Sequence, residues 1–368
     1  MVVINARFLT QELRGVQRFA EQVSLALQAR RQDVVFVCPD RIQMHDTARR
    51  LNVQTVGRHG GHRWEQLELP RYLRSQGSPL LVSLGATAPL MYRNQIATHH
   101  DITYVRHPRS YTWAFRTSYR VMTPILLRHL KNLITVSDFS RREISEFYDF
   151  PKERILVVPN AVSDEFQPGV AGKQRSPYLL AVSSPSEHKN FTRMIQAFLQ
   201  LRGHERVQLR IVGGANGIFA DANLERLANS DPRIRFLGRL SDEELITQYQ
   251  GAAAFVFPSL YEGFGIPPLE AQACGCPVLA ANAASIPEVL QSSALYFDPL
   301  DVEHISQAMN LVLTNQCIRQ QLRTLGLHNV SRFDWERSAA LVSERIDTLL
   351  AEPPPHRGAL PLNASVPK

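Results

Sequence analysis

The sequence lacks long apolar runs and contains little cysteine. No stretch reaches the ~18 apolar residues that a membrane-spanning helix needs. The N-terminus has no basic region followed by an apolar core, so we expect no signal peptide. Only four cysteines occur in 368 residues, which favours a reducing compartment. The expected location is therefore the cytoplasm.

Sequence motifs for several common kinds of site are also missing. Cys274 and Cys276 have no second Cys or His pair nearby, and no Asp-x-Asp follows a predicted strand. We therefore expect no metal site and no required divalent ion. No glycine-rich loop matches G-x-G-x-x-G followed by an acidic residue at the right distance, which disfavours a NAD-dependent dehydrogenase.

Positive charge is concentrated in the first part of the chain. Residues 1–150 hold 21 Lys and Arg against 12 Asp and Glu, whereas the remainder holds 20 against 22. A basic half suits an anionic partner such as a membrane surface, a phosphorylated acceptor or nucleic acid. Within it, residues 106–131 interleave basic and aromatic residues, a composition that suits an anionic membrane interface at the inner face of the membrane. A core-facing helix with an exposed basic face is the alternative.

Predicted strands and helices alternate along the chain in two runs. The first run begins with the strand Val2-Val3-Ile4, a glycine turn at Gly15, a helix and a second strand, which is the start of a parallel α/β sheet. The second run begins at Tyr178 and has the same pattern. We predict a first domain over residues 1–168, a second domain over 169–334, a final helix over 335–351 and a disordered tail over 352–368.

The most informative stretch follows an apolar predicted strand in the second run. Glu262-Gly263-Phe264-Gly265 is a loop that needs the conformational freedom of glycine, and two prolines then favour a helix from about residue 269. Glu262 and Glu270 therefore flank a helix N-terminus. Free backbone N–H groups there bind anions, and carboxylates accept hydrogen bonds from hydroxyls. Phosphate and sugar hydroxyls together describe a nucleotide sugar.

These residues resemble the retaining glycosyltransferases of family 4, which have the GT-B architecture. The segment from Glu262 to Glu270 carries the resemblance. The resemblance implies an α/β fold of two Rossmann-like, doubly wound parallel-sheet domains that face a cleft, with a C-terminal helix crossing back to the first domain. The first half resembles bacterial mannosyl- and rhamnosyltransferases that build cell-surface polysaccharides such as O-antigen. Supporting matches are Gly15-Val16-Gln17-Arg18-Phe19, His100-Asp101, Val136-Ser137, Val158-Pro159-Asn160, Lys189-Asn190, Ile211-Val212-Gly213-Gly214 and Phe333-Asp334-Trp335-Glu336.

The resemblance implies that residues 1–168 form the acceptor-side domain and residues 169–334 the nucleotide-sugar domain. It also implies roles for individual residues. Glu270 would hold the ribose hydroxyls of the nucleotide, Lys189 would neutralise the diphosphate, and His100 would contact the sugar near the reacting carbon. Glu262 would address the donor sugar. The implied catalytic residues are His100, Glu262 and Lys189, and the implied donor-binding residues are Gly15, Ser184, Lys189, Gly213, Gly263, Phe264, Gly265, Ile266 and Glu270.

One position departs from the family pattern. When the sequences are aligned on Lys189, Ser184 stands where many members have arginine. Serine brings no charge and no bidentate pair of donors. Either Arg7, Arg18 or Arg239 supplies the missing charge, or Lys189 and backbone amides suffice.

The resemblance predicts transfer of a sugar from a nucleoside diphosphate to a hydroxyl of a saccharide or lipid-linked saccharide. The anomeric configuration would be retained without a protein nucleophile, and no cofactor would be required. GDP-mannose is the favoured donor, and UDP- and dTDP-sugars are open alternatives. A sugar-nucleotide epimerase of the same architecture is a rival enzyme. A nucleic-acid-binding module would explain the basic half of the chain but not the loop between Glu262 and Glu270.

Overall fold

Two parallel β-sheets organise the protein in a computed structural model that describes residues 1–169, 177–183, 186–213, 226–227 and 229–351. The strands of the first sheet are β1 Val2–Asn5, β2 Val34–Cys38, β3 Gln54–Thr55, β4 Leu80–Ser83, β5 Gln95–Thr98, β6 Asn132–Thr135 and β7 Ile155–Val157. The strands of the second sheet are β8 Tyr178–Val182, β9 Gln208–Val212, β10 Ile234–Gly238, β11 Ala254–Phe257, β12 Val278–Ala281 and β13 Leu295–Phe297.

Helices alternate with the strands in both domains. In the first domain they are α1 Gly15–Arg30, α2 His45–Arg50, α3 Gly61–Arg63, α4 Leu69–Ser75, α5 Thr103–Arg106, α6 Trp113–His129 and α7 Asp138–Tyr148. A π-helical turn over Trp64–Glu68 joins α3 to α4. The later helices are α8 Phe191–Leu199, α9 Asp242–Gly251, α10 Ile266–Ala273, α11 Ile286–Leu290, α12 Val302–Thr314, α13 Gln316–Val330 and α14 Trp335–Ala351.

The strand order of each sheet reverses once. The orders are β3-β2-β1-β4-β5-β6-β7 and β10-β9-β8-β11-β12-β13, and every pairing is parallel. In the first sheet, β2 and β3 are added on one side of β1, and β4 to β7 follow on the other side, so the order reverses between β1 and β4. In the second sheet the order reverses between β8 and β11 in the same way. Open α/β sheets bind ligands beyond the carboxyl ends of the strands at such a switch point. The predicted doubly wound architecture is confirmed, and it supplies two such crevices.

The central strands are apolar because helices cover both faces of a parallel sheet. Val2, Val3 and Ile4 in β1 are fully buried, and so are all four residues of β11. Continuous apolar runs of this kind are the sequence signature of strands buried on both sides. Each run ends at the carboxyl edge of its sheet, where polar loops begin.

The last helix, α14, crosses back to the first domain, as predicted. The Trp335 ring meets the ring of Phe19 on α1 edge to face, with 6.2 Å between centroids. The Arg31 guanidinium at the end of α1 donates to Asp347 Oδ1 at 2.6 Å and to Ser343 Oγ at 3.0 Å. Ser338 Oγ donates to the Pro159 carbonyl at 2.7 Å. Helix α14 is therefore a second connection between the two domains.

Several element boundaries differ from the sequence prediction. Helix α10 begins at Ile266, three residues earlier than predicted, because the two prolines occupy its first turn. Strand β6 ends at Thr135, since the Ser137 side chain caps the next helix by accepting from the Ser140 amide. Helices α2, α3, α4, α5, α11 and α13 and strands β3 and β13 were not predicted. The domain boundary at 168 stays a prediction, and residues 170–176, the tail over 352–368 and most of the helix expected near 223–227 lie outside the described residues.

Candidate active site between the two domains

A cavity of about 1290 Å3 lies between the carboxyl edges of the two sheets. Loops after β1 and β5 form its first-domain wall, and loops after β8 and β11 form its second-domain wall. Gly213 does not line it, and Ser184 lies outside the part of the chain that the structure describes. The predicted site residues that do line the cavity are Gly15, His100, Lys189, Glu262, Gly263, Phe264, Gly265, Ile266 and Glu270.

The carbonyls of the loop between β11 and α10 accept hydrogen bonds from serine side chains. Ser285 Oγ donates to the carbonyls of Glu262 (2.8 Å) and Phe264 (3.2 Å), while Ser137 Oγ donates to the Gly263 carbonyl at 2.6 Å. In a trans peptide the N–H points opposite to the C=O, so the following amides point away from these serines. Within the described residues, the amides of residues 263–266 donate to no protein acceptor. Gly265 has φ 97°, a left-handed conformation suited to glycine.

Lys189 and Glu262 form an ion pair in the second domain. The Lys189 Nζ lies 2.7 Å from Glu262 Oε1, and both side chains are largely buried. Asn190 fixes the Lys189 loop, because its Nδ2 donates to the carbonyls of Pro258 (3.1 Å) and Pro299 (2.7 Å). The loops that carry Lys189 and Glu262, 73 positions apart in the chain, are thereby held together. Both residues, a cation and a carboxylate, line the cavity.

Glu270 lies on α10, buried at the back of the cavity. Tyr249 Oη donates to Glu270 Oε2 at 3.1 Å. Burial raises the pKa of Glu270 to about 7, against the opposing effects of the Arg18 charge and the Tyr249 hydrogen bond. The Arg18 guanidinium reaches across from α1 and pairs with Asp242 Oδ2 at 2.6 Å. Glu270 is thus a carboxyl group that a bound hydroxyl donor would help to ionise.

His100 forms part of the first-domain wall. Its ring packs edge to face against Phe19, with centroids 5.1 Å apart. Burial lowers the pKa of His100 to about 4, although the nearby Asp101 opposes the shift. The imidazole is therefore neutral at physiological pH. In the described part of the chain, His100 Nε2 has no hydrogen-bond partner, which leaves this nitrogen for a ligand.

The two domains meet beside the glycine loop. A Cβ on Gly263 would lie 2.8 Å from Asp101 Oδ2 and 3.0 Å from the His100 carbonyl oxygen. Nearby, the Glu288 carboxylate accepts from the amides of Asp138 (2.7 Å) and Phe139 (2.8 Å) at the start of α7. Anions are stabilised at helix N-termini. The N-terminus of α7 therefore holds α11 of the second domain against the first domain.

The three arginines considered as replacements for a charge at Ser184 occupy different places. Arg18 lies next to Glu270, and Arg7 pairs with Glu65 on the first-domain wall. Arg239 is exposed and lies 3.5 Å from Glu12, outside the cavity lining. Of these three arginines, Arg18 is thus the one placed beside a predicted donor residue, Glu270. Among the described residues, no group of three or more His, Cys, Asp or Glu side chains could hold a metal ion.

Residues 106–131 have two distinct faces that the sequence alone did not separate. Tyr111, Phe115 and Tyr119 line the cavity at a spacing of four residues, one face of α6 and its approach. Trp113 is 74% exposed on a different face of the helix, together with Val121. The four-residue spacing was the available signal for the cavity-lining face. Within the described residues, no helix is both long and apolar enough to cross a membrane.

Comparison with known proteins decides the family. The family model for glycosyltransferase family 4 matches residues 13–166, and the model for glycosyl transferases group 1 matches residues 163–326. O-antigen chain mannosyltransferase B of Escherichia coli is 32% identical over 270 residues, which are 67% of this chain and 68% of that protein. The chain belongs to glycosyltransferase family 4.

Another curated relative and a solved structure are also similar to this chain. O-antigen chain mannosyltransferase RfbU of Salmonella typhimurium is 33% identical over 220 residues, 58% of this chain and 59% of that protein. HepE of Anabaena, solved in complex with UDP and glucose, superposes with a TM-score of 0.71 at 17% identity, covering 94% of this chain and 99% of that chain. The protein is therefore a glycosyltransferase with the predicted GT-B fold.

Proposed function

We propose that this family-4 glycosyltransferase transfers mannose from GDP-mannose to a hydroxyl of a saccharide or lipid-linked saccharide. Transfer retains the anomeric configuration and requires no metal ion. One observation supports the donor assignment: Glu270, Lys189 and residues 263–266, whose amides donate to no protein acceptor among the described residues, all line a single cavity. Carboxylate, cation and amides are the groups that ribose hydroxyls and a diphosphate require.

In this proposal the leaving diphosphate is stabilised electrostatically. Lys189 exchanges part of its contact with Glu262 for the phosphate oxygens, and the loop amides donate to the same oxygens. Donors aimed at the developing charge in a dry site contribute more to catalysis than they would in water. The neutral His100 donates a hydrogen bond to a sugar hydroxyl without adding charge beside the anomeric carbon. Glu262 orients the sugar, and the departing phosphate oxygen takes the acceptor proton on the same face.

The choice of sugar is supported by the relatives. Both curated relatives named above are O-antigen chain mannosyltransferases. A UDP-sugar is the second candidate donor, supported by the solved complex of HepE with UDP and glucose. The proposed location is the cytoplasmic face of the membrane, reached through the outward face of α6. This outer face of α6 comprises Trp113, Thr117, Arg120, Val121 and Arg128.

A ligand panel with two variants tests the donor assignment. The full chain is melted with GDP, UDP and dTDP and with their sugars, and GDP-mannose at ~100 times its dissociation constant should add about 2.7 kcal/mol of stability. Glu270→Ala should lose this shift because ribose loses its partner. Lys189→Ala should keep most donor binding but slow transfer about 100-fold, in line with the loss of one oxyanion donor. Lys152→Ala, at an exposed surface lysine, is the matched control.

Product analysis completes this test. Mass spectrometry and NMR of the products should show a new α-glycoside only when an acceptor is present. A panel without any thermal shift would contradict the donor site. Formation of an epimerised sugar nucleotide without acceptor would instead identify an epimerase.

A further inference from the structure

The first domain has its own switch-point crevice, and the proposed donor does not account for it. Asn5 ends β1, and Thr87 follows β4, on either side of the point where the strand order reverses. Both residues line the same cavity as the donor site. The equivalent crevice of the second domain, beyond β8 and β11, holds the proposed donor residues. Because the proposed transfer needs both a donor and an acceptor, the crevice of the first domain is available for the acceptor.

A buried carboxylate, Glu65, lies at this crevice. Its side chain is fully buried, and its Oε1 accepts from Asn5 Nδ2 (3.1 Å), Arg7 Nε (3.1 Å) and Thr87 Oγ1 (3.0 Å). Arg7 also donates to Thr87 Oγ1. Buried charges are found where partners compensate them. Three protein donors therefore already bond to Oε1 of Glu65.

The second carboxylate oxygen of Glu65, Oε2, has different surroundings. Among the described residues Oε2 has no hydrogen-bond partner, and His62 Nδ1 lies 3.5 Å from it. Burial alone would raise the pKa of Glu65, but His62, the Arg7 charge and the hydrogen bonds to Oε1 hold this pKa below its usual value. An ionised carboxylate oxygen at a cavity wall accepts hydrogen bonds from ligand hydroxyls.

The local backbone at Glu65 is also unusual. The residue lies in the π-helical turn Trp64–Glu68, between α3 and α4. Such turns are rare and occur frequently at functional sites. The π-turn places the side chain of Glu65 inside the protein, whereas Glu68 on the same turn contacts the amides of Arg58 and His59. The two carboxylates of this turn therefore lie in different surroundings, Glu65 buried at the cavity and Glu68 against backbone amides.

An aromatic wall connects this crevice with the donor residues. Ring centroids are 6.4 Å apart for His188 and Tyr111, 5.0 Å for Tyr111 and Phe115, and 4.4 Å for Phe115 and Tyr119. His188 precedes Lys189, and the Tyr119 hydroxyl is within electrostatic reach of Arg7 and Glu65. The wall thus runs from one substrate site to the other. It offers apolar surface against which the C–H groups of a sugar ring can pack.

We propose that Asn5, Arg7, Glu65 and Thr87, with the aromatic wall of Tyr111, Phe115 and Tyr119, form the subsite for the acceptor saccharide. Glu65 Oε2 accepts a hydrogen bond from a non-reacting hydroxyl of the acceptor, and Arg7 holds the carboxylate in place. The expected ligand is an uncharged sugar ring, since the ion pair of Arg7 and Glu65 leaves no net charge in the subsite. This inference rests on the proposed transfer to a saccharide.

Separate measurement of donor and acceptor kinetics tests the subsite. The full-length enzyme is assayed with methyl α-mannoside and its α-linked disaccharide and trisaccharide, and donor hydrolysis is followed without acceptor. Glu65→Gln should raise the acceptor KM at least tenfold, while the donor KM and donor hydrolysis change less than twofold. Thr87→Val and Phe115→Ala should act in the same direction. Glu68→Gln is the matched control, because it makes the same change on the same turn outside the cavity.

The outcomes separate this inference from the proposed function. If donor binding and hydrolysis persist and none of the three variants changes the acceptor KM, the subsite assignment is wrong although the donor site stands. A wild type that neither glycosylates the three mannosides nor binds them in saturation-transfer NMR also overturns the assignment. Absence of donor binding by the wild type would instead contradict the proposed function. If Glu65→Gln fails to fold, the exposed-edge variant Phe115→Ala and Thr87→Val decide.

Discussion

At the scale of single residues, the proposed role of Glu270 predicts that donor binding depends on pH. Its pKa of about 7 reflects burial, and the charged or titratable groups that face it are Arg18, Tyr249 and Asp242. If ribose hydroxyls donate to the carboxylate, as proposed, donor binding requires the ionised form. Between pH 8 and pH 6 that form falls roughly tenfold, so donor affinity should fall about tenfold as well. Calorimetric titration with GDP-mannose measures this, since its diphosphate does not titrate in this range.

The matched variant for the pH prediction is Glu270→Gln. It should bind more weakly at pH 8 and show little pH dependence, because the titrating group is gone. The pKa values of about 4 for His100 and about 3 for His188 lie below the window. For the free protein the sign is opposite: the raised folded pKa of Glu270 gives stability that is present below pH 4.5 and is lost as pH rises through 7. Affinity that is constant from pH 6 to pH 8 would contradict the role of Glu270.

Among the structural elements, the loop between β11 and α10 depends on contact with both domains. Gly263→Ala would place a methyl group 2.8 Å from Asp101 Oδ2 and 3.0 Å from the His100 carbonyl oxygen. The loop and the first domain would have to separate, since real Cβ contacts are longer. We expect transfer to slow at least about tenfold while the melting temperature changes by only a few degrees.

The control for the loop prediction is Gly60→Ala. A Cβ at Gly60 meets no atom within 4 Å, and its φ of −115° suits any residue. Small-angle scattering should show a larger radius of gyration for Gly263→Ala than for Gly60→Ala. Equal activity of both variants would mean that the domain contact at Gly263 does not position the loop.

The elements themselves were largely predictable from local patterns. Strands β1 and β11 are unbroken apolar runs, and the prolines at the start of α10 mark a helix N-terminus. Helix α13 was missed because it is mostly polar, with few buried apolar positions such as Leu322, and because its Asn315 cap follows directly on the preceding helix. Local patterns identify elements that bury a full face and overlook those that bury little.

The donor residues and the first-domain crevice differ in how far the sequence could predict them. Glu262 and Glu270 belong to one continuous segment, so their proximity follows from local structure. The cluster around Glu65 joins segments that lie far apart, with Arg7 and Thr87 separated by 80 positions. Only the fold brings them together. Likewise, Tyr249 donates to Glu270 from a helix whose sequence gives no sign of a site.

At the scale of the whole molecule, the positive charge of the first domain and the composition of the outer face of α6 both suit binding to an anionic membrane surface. Trp113 is 74% exposed and Val121 is 57% exposed, while Arg120 and Arg128 are exposed on the same outer face. The cavity-lining residues Tyr111, Phe115 and Tyr119 occupy another face of the same segment. A membrane surface that binds the outer face of α6 would therefore lie next to the acceptor side of the cleft. A lipid-linked acceptor could then enter the cleft without leaving the bilayer.

Vesicle binding tests this orientation. Each basic residue near an anionic surface contributes about 1 kcal/mol, so Arg120→Ser with Arg128→Ser should weaken binding to phosphatidylglycerol vesicles roughly 30-fold. Trp113→Ala should weaken it further by removing an interfacial aromatic ring. Arg202→Ser with Arg206→Ser removes the same charge from exposed positions of the second domain and is the control. Activity on a water-soluble acceptor should be equal in all variants. If both double variants lose affinity equally, binding follows net charge alone, and the outer face of α6 is not a docking surface.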